Sequence, residues 1–107
     1  MATHDDNSIE PTVLSDVVPV LERSSVRIPI LKWLIADCDR LAADLDQEVR
    51  NEEDRVRIHD PAHCAYPTYA RATASRRDNL RRSADGLRAH LAKAEQALRE
   101  VGEALDA

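Results

Sequence analysis

The sequence predicts an all-α fold: a long antiparallel helical hairpin of coiled-coil-like character, with a short kinked helix at its amino end. The 107 residues include only two glycines and no phenylalanine, so the chain lacks both the turn formers of an all-β meander and a thick aromatic core. Two long segments also carry apolar residues at helical spacing. Because two helices packed along one seam leave much surface wet, we expect the hairpin to complete a helical bundle by self-association.

The amino-terminal segment divides into a polar part and a periodic part. Residues 1–9 are polar and charged without periodicity, which predicts disorder before a single helical domain over residues 10–107. Apolar residues recur at helical spacing from residue 11 onward. Pro19 removes a backbone hydrogen-bond donor, and in a straight helix its ring would clash with the carbonyl group four residues earlier. We therefore expect a short kinked helix over residues 11–23.

The next segment predicts a long helix over residues 26–58. Pro29 falls in its first turn, where a missing backbone donor costs little. An apolar stripe with steps of mostly three and four consists of Leu31, Leu34, Cys38, Leu41, Leu45, Val49 and Val56. Pro61 and Pro67 then disfavour helix in the residues before them, so we expect a turn over residues 59–67.

Residues 68–106 have the clearest periodicity in the chain and predict the second long helix. Steps of four and three alternate along a heptad seam formed by Leu80, Ala84, Leu87, Leu91, Ala94, Leu98, Val101 and Leu105. The first half continues the register with small or polar residues at Tyr69 or Ala70, at Thr73 and at Arg77. We expect that end of the hairpin to pack closely.

Opposite charges on the two long segments predict that they pair in antiparallel orientation. Residues 37–54 carry eight acids and two arginines, a formal charge of −6, whereas residues 71–93 carry seven bases and two acids, a formal charge of +5. A chain reversal near residue 63 makes Asp44 and Asp46 face Arg81 and Arg82. Because exposed ion pairs contribute only about 0–1 kcal/mol each, the pattern selects register and orientation more than stability.

Net charge and segment composition exclude some classes of protein. The formal charge of −5 argues against nucleic acid as the main partner, because phosphate binding needs a positive field over the contact surface. We find neither a secretory signal pattern nor a long apolar run, so we expect a cytoplasmic protein without a membrane partner. In a reducing compartment Cys38 and Cys64 would both be free thiols, with Cys38 a small core residue.

The stretch HDPAHC contains four possible metal ligands, His59, Asp60, His63 and Cys64. Pro61 separates the two histidines, and the paired ligand spacing of a structural zinc site is missing. We favour a turn in which Asp60 caps the residues that follow, and metal binding stays an alternative. Catalysis by Cys64 would need an orienting partner and a glycine-rich oxyanion loop, so we predict no catalytic residue and no cofactor.

The second long segment carries a series of arginines that suggests a phosphate-binding face: Arg71, Arg76, Arg77, Arg81, Arg82 and Arg88. The acidic first helix neutralises much of this charge, and the chain has few aromatic side chains to stack on bases. We therefore favour pairing within the hairpin over nucleic-acid binding.

The stretch ILKWLI, residues 30–35, is the most apolar in the chain. Apolar groups surround the helix there apart from Lys32, which predicts burial on more than one side, either against residues 11–23 or against a partner. Two tyrosines at the opposite tip form a smaller candidate patch. The candidate partner-binding residues are Val17, Leu21, Ile30, Trp33, Leu34, Tyr66 and Tyr69.

The stretch RRDNLRRSADGLRAHLAKAEQALREVGEAL resembles the long helices of coiled-coil hairpins in bacterial secretion and flagellar export accessory proteins, over less than a third of the chain. We expect a non-enzymatic interaction protein, such as an adaptor, a chaperone or an assembly subunit. Its partner would be a second copy in a homodimer, another helical protein, or both, and we infer no small-molecule substrate. The alternatives are a small metal-binding protein that uses the turn cluster and a phosphate-binding protein that uses the arginines.

Overall fold

The computed structural model describes residues 11–106, with side chains from residue 15 onward. In this part of the chain helix α1 spans Pro11–Val56 and helix α2 spans Thr68–Asp106, and there is no strand. The two helices run antiparallel and form a rod of 84 × 19 × 16 Å. The predicted all-α hairpin is confirmed. The disorder predicted for residues 1–9 lies outside the described residues.

The prediction of a separate short helix over residues 11–23 is wrong. Helix α1 continues through Pro19 and Pro29, although an internal proline costs about 3 kcal/mol by removing a hydrogen bond and by steric clash. Helix α2 extends far enough to cover this part of α1, so that Val17 and Ser24 are buried against it. Both prolines occupy exposed positions. Packing on α2 therefore offsets the local cost of the internal prolines. The prediction from sequence gave this cost too much weight.

Helix α1 ends at Val56, two residues before the predicted end. Arg57 follows it with a positive φ of 60°, and the Ile58 N–H donates to the carbonyl of Glu53 at 3.2 Å. A left-handed residue followed by this backward hydrogen bond is a Schellman-type helix end. This helix end sets the direction in which the linker leaves α1.

The linker over residues 57–67 consists of consecutive hydrogen-bonded turns. The His63 N–H donates to the Asp60 carbonyl at 3.0 Å, and the Tyr66 N–H donates to the His63 carbonyl at 3.0 Å. The Asp60 side chain accepts the N–H of Ala62 at 2.9 Å, as an aspartate commonly does at the start of a turn. The turn that the sequence predicts over residues 59–67 is present.

The closed end of the hairpin has a small core. Val49, Tyr66 and Ala70 form a buried cluster, with Ile58 and Ala74 packed against it. The cluster therefore joins α1, the linker and α2. The residue after the helix cap, Ile58, is one of its members, which is the apolar contact that usually accompanies a Schellman-type end.

The contact between the helices combines small residues of α2 with larger apolar residues of α1. On α2 the buried residues are Ala70, Thr73, Ala84, Ala94 and Val101, which follow the predicted seam. On α1 they are Val17, Ser24, Leu31, Ile35, Ala42 and Val49. Leu34 and Leu41, which the sequence analysis placed on the seam of α1, lie beside it because Ile35 and Ala42 occupy the contact. Alanine at facing positions lets the two helices approach closely.

Candidate interaction surface

The four possible metal ligands of the turn point to different partners. His59 Nε2 lies 2.8 Å from Asp54 Oδ1. Asp60 Oδ1 and His63 Nδ1 each accept a backbone N–H of the turn at 2.9 Å, and Cys64 is an exposed free thiol. Across residues 11–106, no group of three His, Cys, Asp or Glu side chains is placed to hold a metal ion. The side chains of His59, Asp60 and His63 make local contacts at the end of α1 and in the turn.

Tyr66, one of the candidate partner-binding residues, lies inside the hairpin and is only 7 % exposed. Its hydroxyl donates to Glu53 Oε2 at 2.8 Å. The Arg71 guanidinium lies 5.3 Å from the centre of its ring and donates to the Pro61 carbonyl at 3.0 Å. Burial, and then the hydrogen bond to Glu53, raise the pKa of Tyr66 above its ordinary value. Tyr66 therefore holds the linker against both helices.

Tyr69 is the exposed aromatic residue of the same end. Just over half of its surface is accessible, and its hydroxyl donates to Glu48 Oε2 of α1 at 3.2 Å. The patch of two tyrosines predicted at the tip is therefore reduced to one accessible ring. A single ring with a polar partner offers a partner little apolar area.

Several arginines of α2 contact carboxylates within the hairpin, whereas Arg71 donates to the Pro61 carbonyl and Arg82 contacts Asn79. Arg77 donates to Asp46 of α1 at 2.7 Å and to Asp78 of its own helix at 3.0 Å. Arg88 forms ion pairs with Asp39 of α1 and with Asp85. These contacts are the pairing within the hairpin that the charge pattern favours.

Asp46 is the most connected carboxylate between the helices. Besides Arg77, it lies 2.9 Å from Arg50 and 3.8 Å from Arg81. The hydrogen bond from Arg77, together with the nearby positive charges, outweighs partial burial and holds the pKa of Asp46 below its ordinary value. The predicted pairing of Asp46 with Arg81 is present. Arg77, which lies one helical turn before Arg81, is closer to Asp46.

Helix α1 carries large apolar side chains that remain exposed to solvent. Val26, Ile30 and Trp33 are 62, 51 and 65 % exposed. Their spacing of four and three residues places them on one side of the helix. Leu41 is also exposed and lies on the same side, since eleven residues at about 100° each return close to the direction of Ile30. We name these four residues the apolar face.

The other predicted partner-binding residues of α1 lie outside the apolar face. Val17 is buried against α2. Leu21 is exposed, but it lies five residues before Val26 and therefore about 140° away around the helix. Leu34 is half-buried and borders the apolar face.

The sequence analysis missed Val26 and Leu41 as members of the apolar face. The spacing of Val26, Ile30 and Trp33 indicates a common helix face in the sequence itself. The apolar stripe assigned to α1 consisted of other residues. Leu41 was assigned to the seam because it continues the steps of three and four from Leu34 and Cys38.

Charged residues flank the apolar face on both sides along α1. Arg23 and Arg27 precede its centre, and within the described part of the chain neither has an acidic partner. After the centre, Arg40 contacts both Asp37 and Asp44 of its own helix. The flank before the centre carries one net positive charge from Glu22, Arg23 and Arg27, whereas the flank after it carries one net negative charge from Asp37, Arg40 and Asp44.

Comparison with known proteins adds no assignment to this geometry. No protein-family model, curated protein or solved structure matches the chain. A segment long and apolar enough to cross a membrane is not found in either described helix. The apolar face thus stands as the candidate site on its own physical features.

Proposed function

We propose that this chain is a non-enzymatic protein-interaction module, an adaptor, chaperone or assembly subunit, whose apolar face binds a helix of another polypeptide. The observation that carries the proposal is the exposure of Val26, Ile30 and Trp33 on one side of α1. Large apolar side chains grouped in this way mark interaction sites on soluble proteins. Residues at this spacing are also the usual anchors when one helix docks on another.

The energetics of the apolar face support binding. Covering apolar surface contributes roughly 25 cal/mol per Å², and tryptophan is the residue type most enriched among those that dominate binding energy. Trp33 is the only tryptophan of the chain, and it stands in the middle of this face. Helix α2 contributes mostly alanine to its contact with α1, and the core of the hairpin leaves these larger side chains of α1 uncovered.

A cytoplasmic location is part of the proposal. Cys38 and Cys64 are both free thiols, and their sulfur atoms would stay reduced in that compartment. Cys64 is exposed in the linker, where an oxidising compartment would favour mixed disulfides.

Photo-crosslinking from position 33 tests the proposed function. Trp33 is replaced by p-benzoylphenylalanine in the full chain, within cells that contain its natural partners. The matched control carries the same amino acid in place of Ala89, an exposed residue of α2. We expect a discrete covalent adduct from position 33 and none from position 89.

The mass of the adduct identifies the class of partner. An adduct of two identical chains or of this chain with one other protein supports the proposal. Equal labelling from both positions, or no adduct from position 33, would contradict it, because a true docking face must contact its partner more closely than an unrelated exposed position.

A further inference from the structure

We infer that the occupant of the apolar face is a second copy of this chain, packed antiparallel on α1 with the two-fold axis at Ile30. The inference rests on the proposed function and specifies its partner. A two-fold interface uses the same patch on both copies, so the patch has to be self-complementary when it is reversed. The face of α1 meets this requirement in both its apolar and its charged residues.

The apolar residues are arranged symmetrically about Ile30. Val26 precedes it by four residues and Leu34 follows it by four, while Pro19 precedes it by eleven and Leu41 follows it by eleven. In an antiparallel pair of helices, positions equally far before and after the axis face each other. Ile30 then packs on its own symmetry mate, Val26 meets Leu34 of the other copy, and Pro19 meets Leu41.

Trp33 fits the same arrangement. It follows Ile30 by three residues, so in the antiparallel pair it lies beside the other copy's Val26, which precedes Ile30 by four. Both side chains are more than 60 % exposed in the single chain. Covering each with the other removes the two most exposed of the large apolar side chains of α1 from water, which is the main favourable contribution to association.

The charged residues give the arrangement its direction. Arg23 precedes Ile30 by seven residues and Asp37 follows it by seven, so the pair forms twice across an antiparallel interface. Glu22 similarly comes within a helical turn of Arg40. A parallel pair would instead place each of these residues beside its own copy, and like charges in contact disfavour that orientation.

Another helical protein could cover the same apolar side chains, but it would have to supply the reversed charge pattern independently. The chain already contains that pattern on the same face. Arg23 has no acidic partner within residues 11–106, and Arg40 contacts two carboxylates at once. A second copy supplies Asp37 as the acidic partner of Arg23, and Arg23 as a second basic partner for a carboxylate beside Arg40. No additional residue is needed.

Single-cysteine variants test the orientation directly. The background is the full chain with Cys38→Ala and Cys64→Ser, into which Ile30→Cys, Arg23→Cys or Asp37→Cys is introduced. A disulfide requires Cα atoms closer than about 7 Å. At the axis the two copies of position 30 meet this limit, whereas the two copies of position 23 are separated by about 21 Å along the helices. Samples are mixed in denaturant, refolded together and then oxidised.

We expect Ile30→Cys to form a covalent dimer by itself and Arg23→Cys to do so only when mixed with Asp37→Cys. Self-linkage of Arg23→Cys would overturn the inference in favour of a parallel pair. The absence of any cross-link would overturn the second copy as occupant. A photo-crosslinked adduct with a different protein would then leave the proposed function standing while this inference failed.

A charge exchange guards against variants that merely lose structure. Arg23→Asp alone should weaken association, as should Asp37→Arg alone, because each places like charges across the interface. The double variant restores opposite charges at both sites and should regain association. Failure of the double variant to recover, with helical content unchanged by circular dichroism, would overturn the antiparallel register.

Discussion

The Arg77 guanidinium of α2 lies 2.7 Å from the Asp46 carboxylate of α1, and both side chains are about four-fifths buried. This contact fixes the relative position of the two helices near the closed end. It lies beside the buried cluster of Val49, Tyr66 and Ala70, so electrostatic pairing and apolar packing specify the same register there.

A double-mutant cycle with Asp46→Asn and Arg77→Gln measures what this pair contributes. We expect a coupling energy of about 1 kcal/mol in the free energy of unfolding, at the upper end for exposed pairs because only about a fifth of each side chain is accessible. The measurement is urea denaturation followed by circular dichroism at one fixed protein concentration. A coupling energy of zero would show that the contact does not contribute to the register.

The same pair predicts a pH dependence. The folded-state pKa of Asp46 lies below its ordinary value of 3.8 because Arg77 donates a hydrogen bond to the charged form. A depressed carboxylate pKa stabilises the fold above the unfolded-state pKa, and this stability disappears as the pH falls through the folded-state pKa. The difference in stability between wild type and Asp46→Asn should therefore be constant near neutral pH and vanish in strong acid. A difference that persists in strong acid would contradict this assignment.

Thr73 predicts a stabilising substitution. Its side chain is 1 % exposed, and among the described residues its Oγ1 atom is buried without a hydrogen-bond partner. A buried polar group without a partner costs about 1–3 kcal/mol, so Thr73→Val should raise the free energy of unfolding by about 1 kcal/mol. Thr68→Val, at an exposed position, is the matched control and should change little. A loss of stability in Thr73→Val would imply that the hydroxyl is satisfied in solution.

Arg57 predicts a second stabilising substitution, at the end of α1. Its φ of 60° lies in the left-handed region, which costs a side chain about 1–2 kcal/mol relative to glycine. Arg57→Gly should therefore raise the midpoint of thermal unfolding, whereas Arg57→Ala, which keeps the strain and removes the charge, should not. Equal effects of the two substitutions would attribute the change to charge.

The hairpin could be predicted from the sequence because its signals are local and repeated. The steps of four and three from Leu80 to Leu105 fix the seam of α2, and the opposite charges of the two segments fix their orientation. The continuation of α1 through Pro19 could not be predicted in this way. It depends on the packing of Val17 and Ser24 against α2, which lies far away in the sequence.

The candidate site shows a similar limit. Ile30 and Trp33 could be selected because they stand in the most apolar stretch of the chain. Whether such a residue faces α2 or solvent depends on which small side chains form the contact between the helices. Ala42 is one of them, and an alanine is too weakly hydrophobic to mark a buried position in the sequence. Tyr66 was assigned to the surface because its hydrogen bond to Glu53 needs a fold that brings the linker back onto α1.

Light scattering of the wild type and of Trp33→Ala over a range of concentrations tests the central claim most directly. The account predicts that the wild type approaches twice the chain mass of 12.0 kDa, while Trp33→Ala stays at one chain mass with the same helical content. Ala89→Ser, altered at an exposed position of α2, should behave as the wild type. A wild type that stays at one chain mass at every concentration, or a Trp33→Ala variant that associates equally well, would contradict self-association through the apolar face.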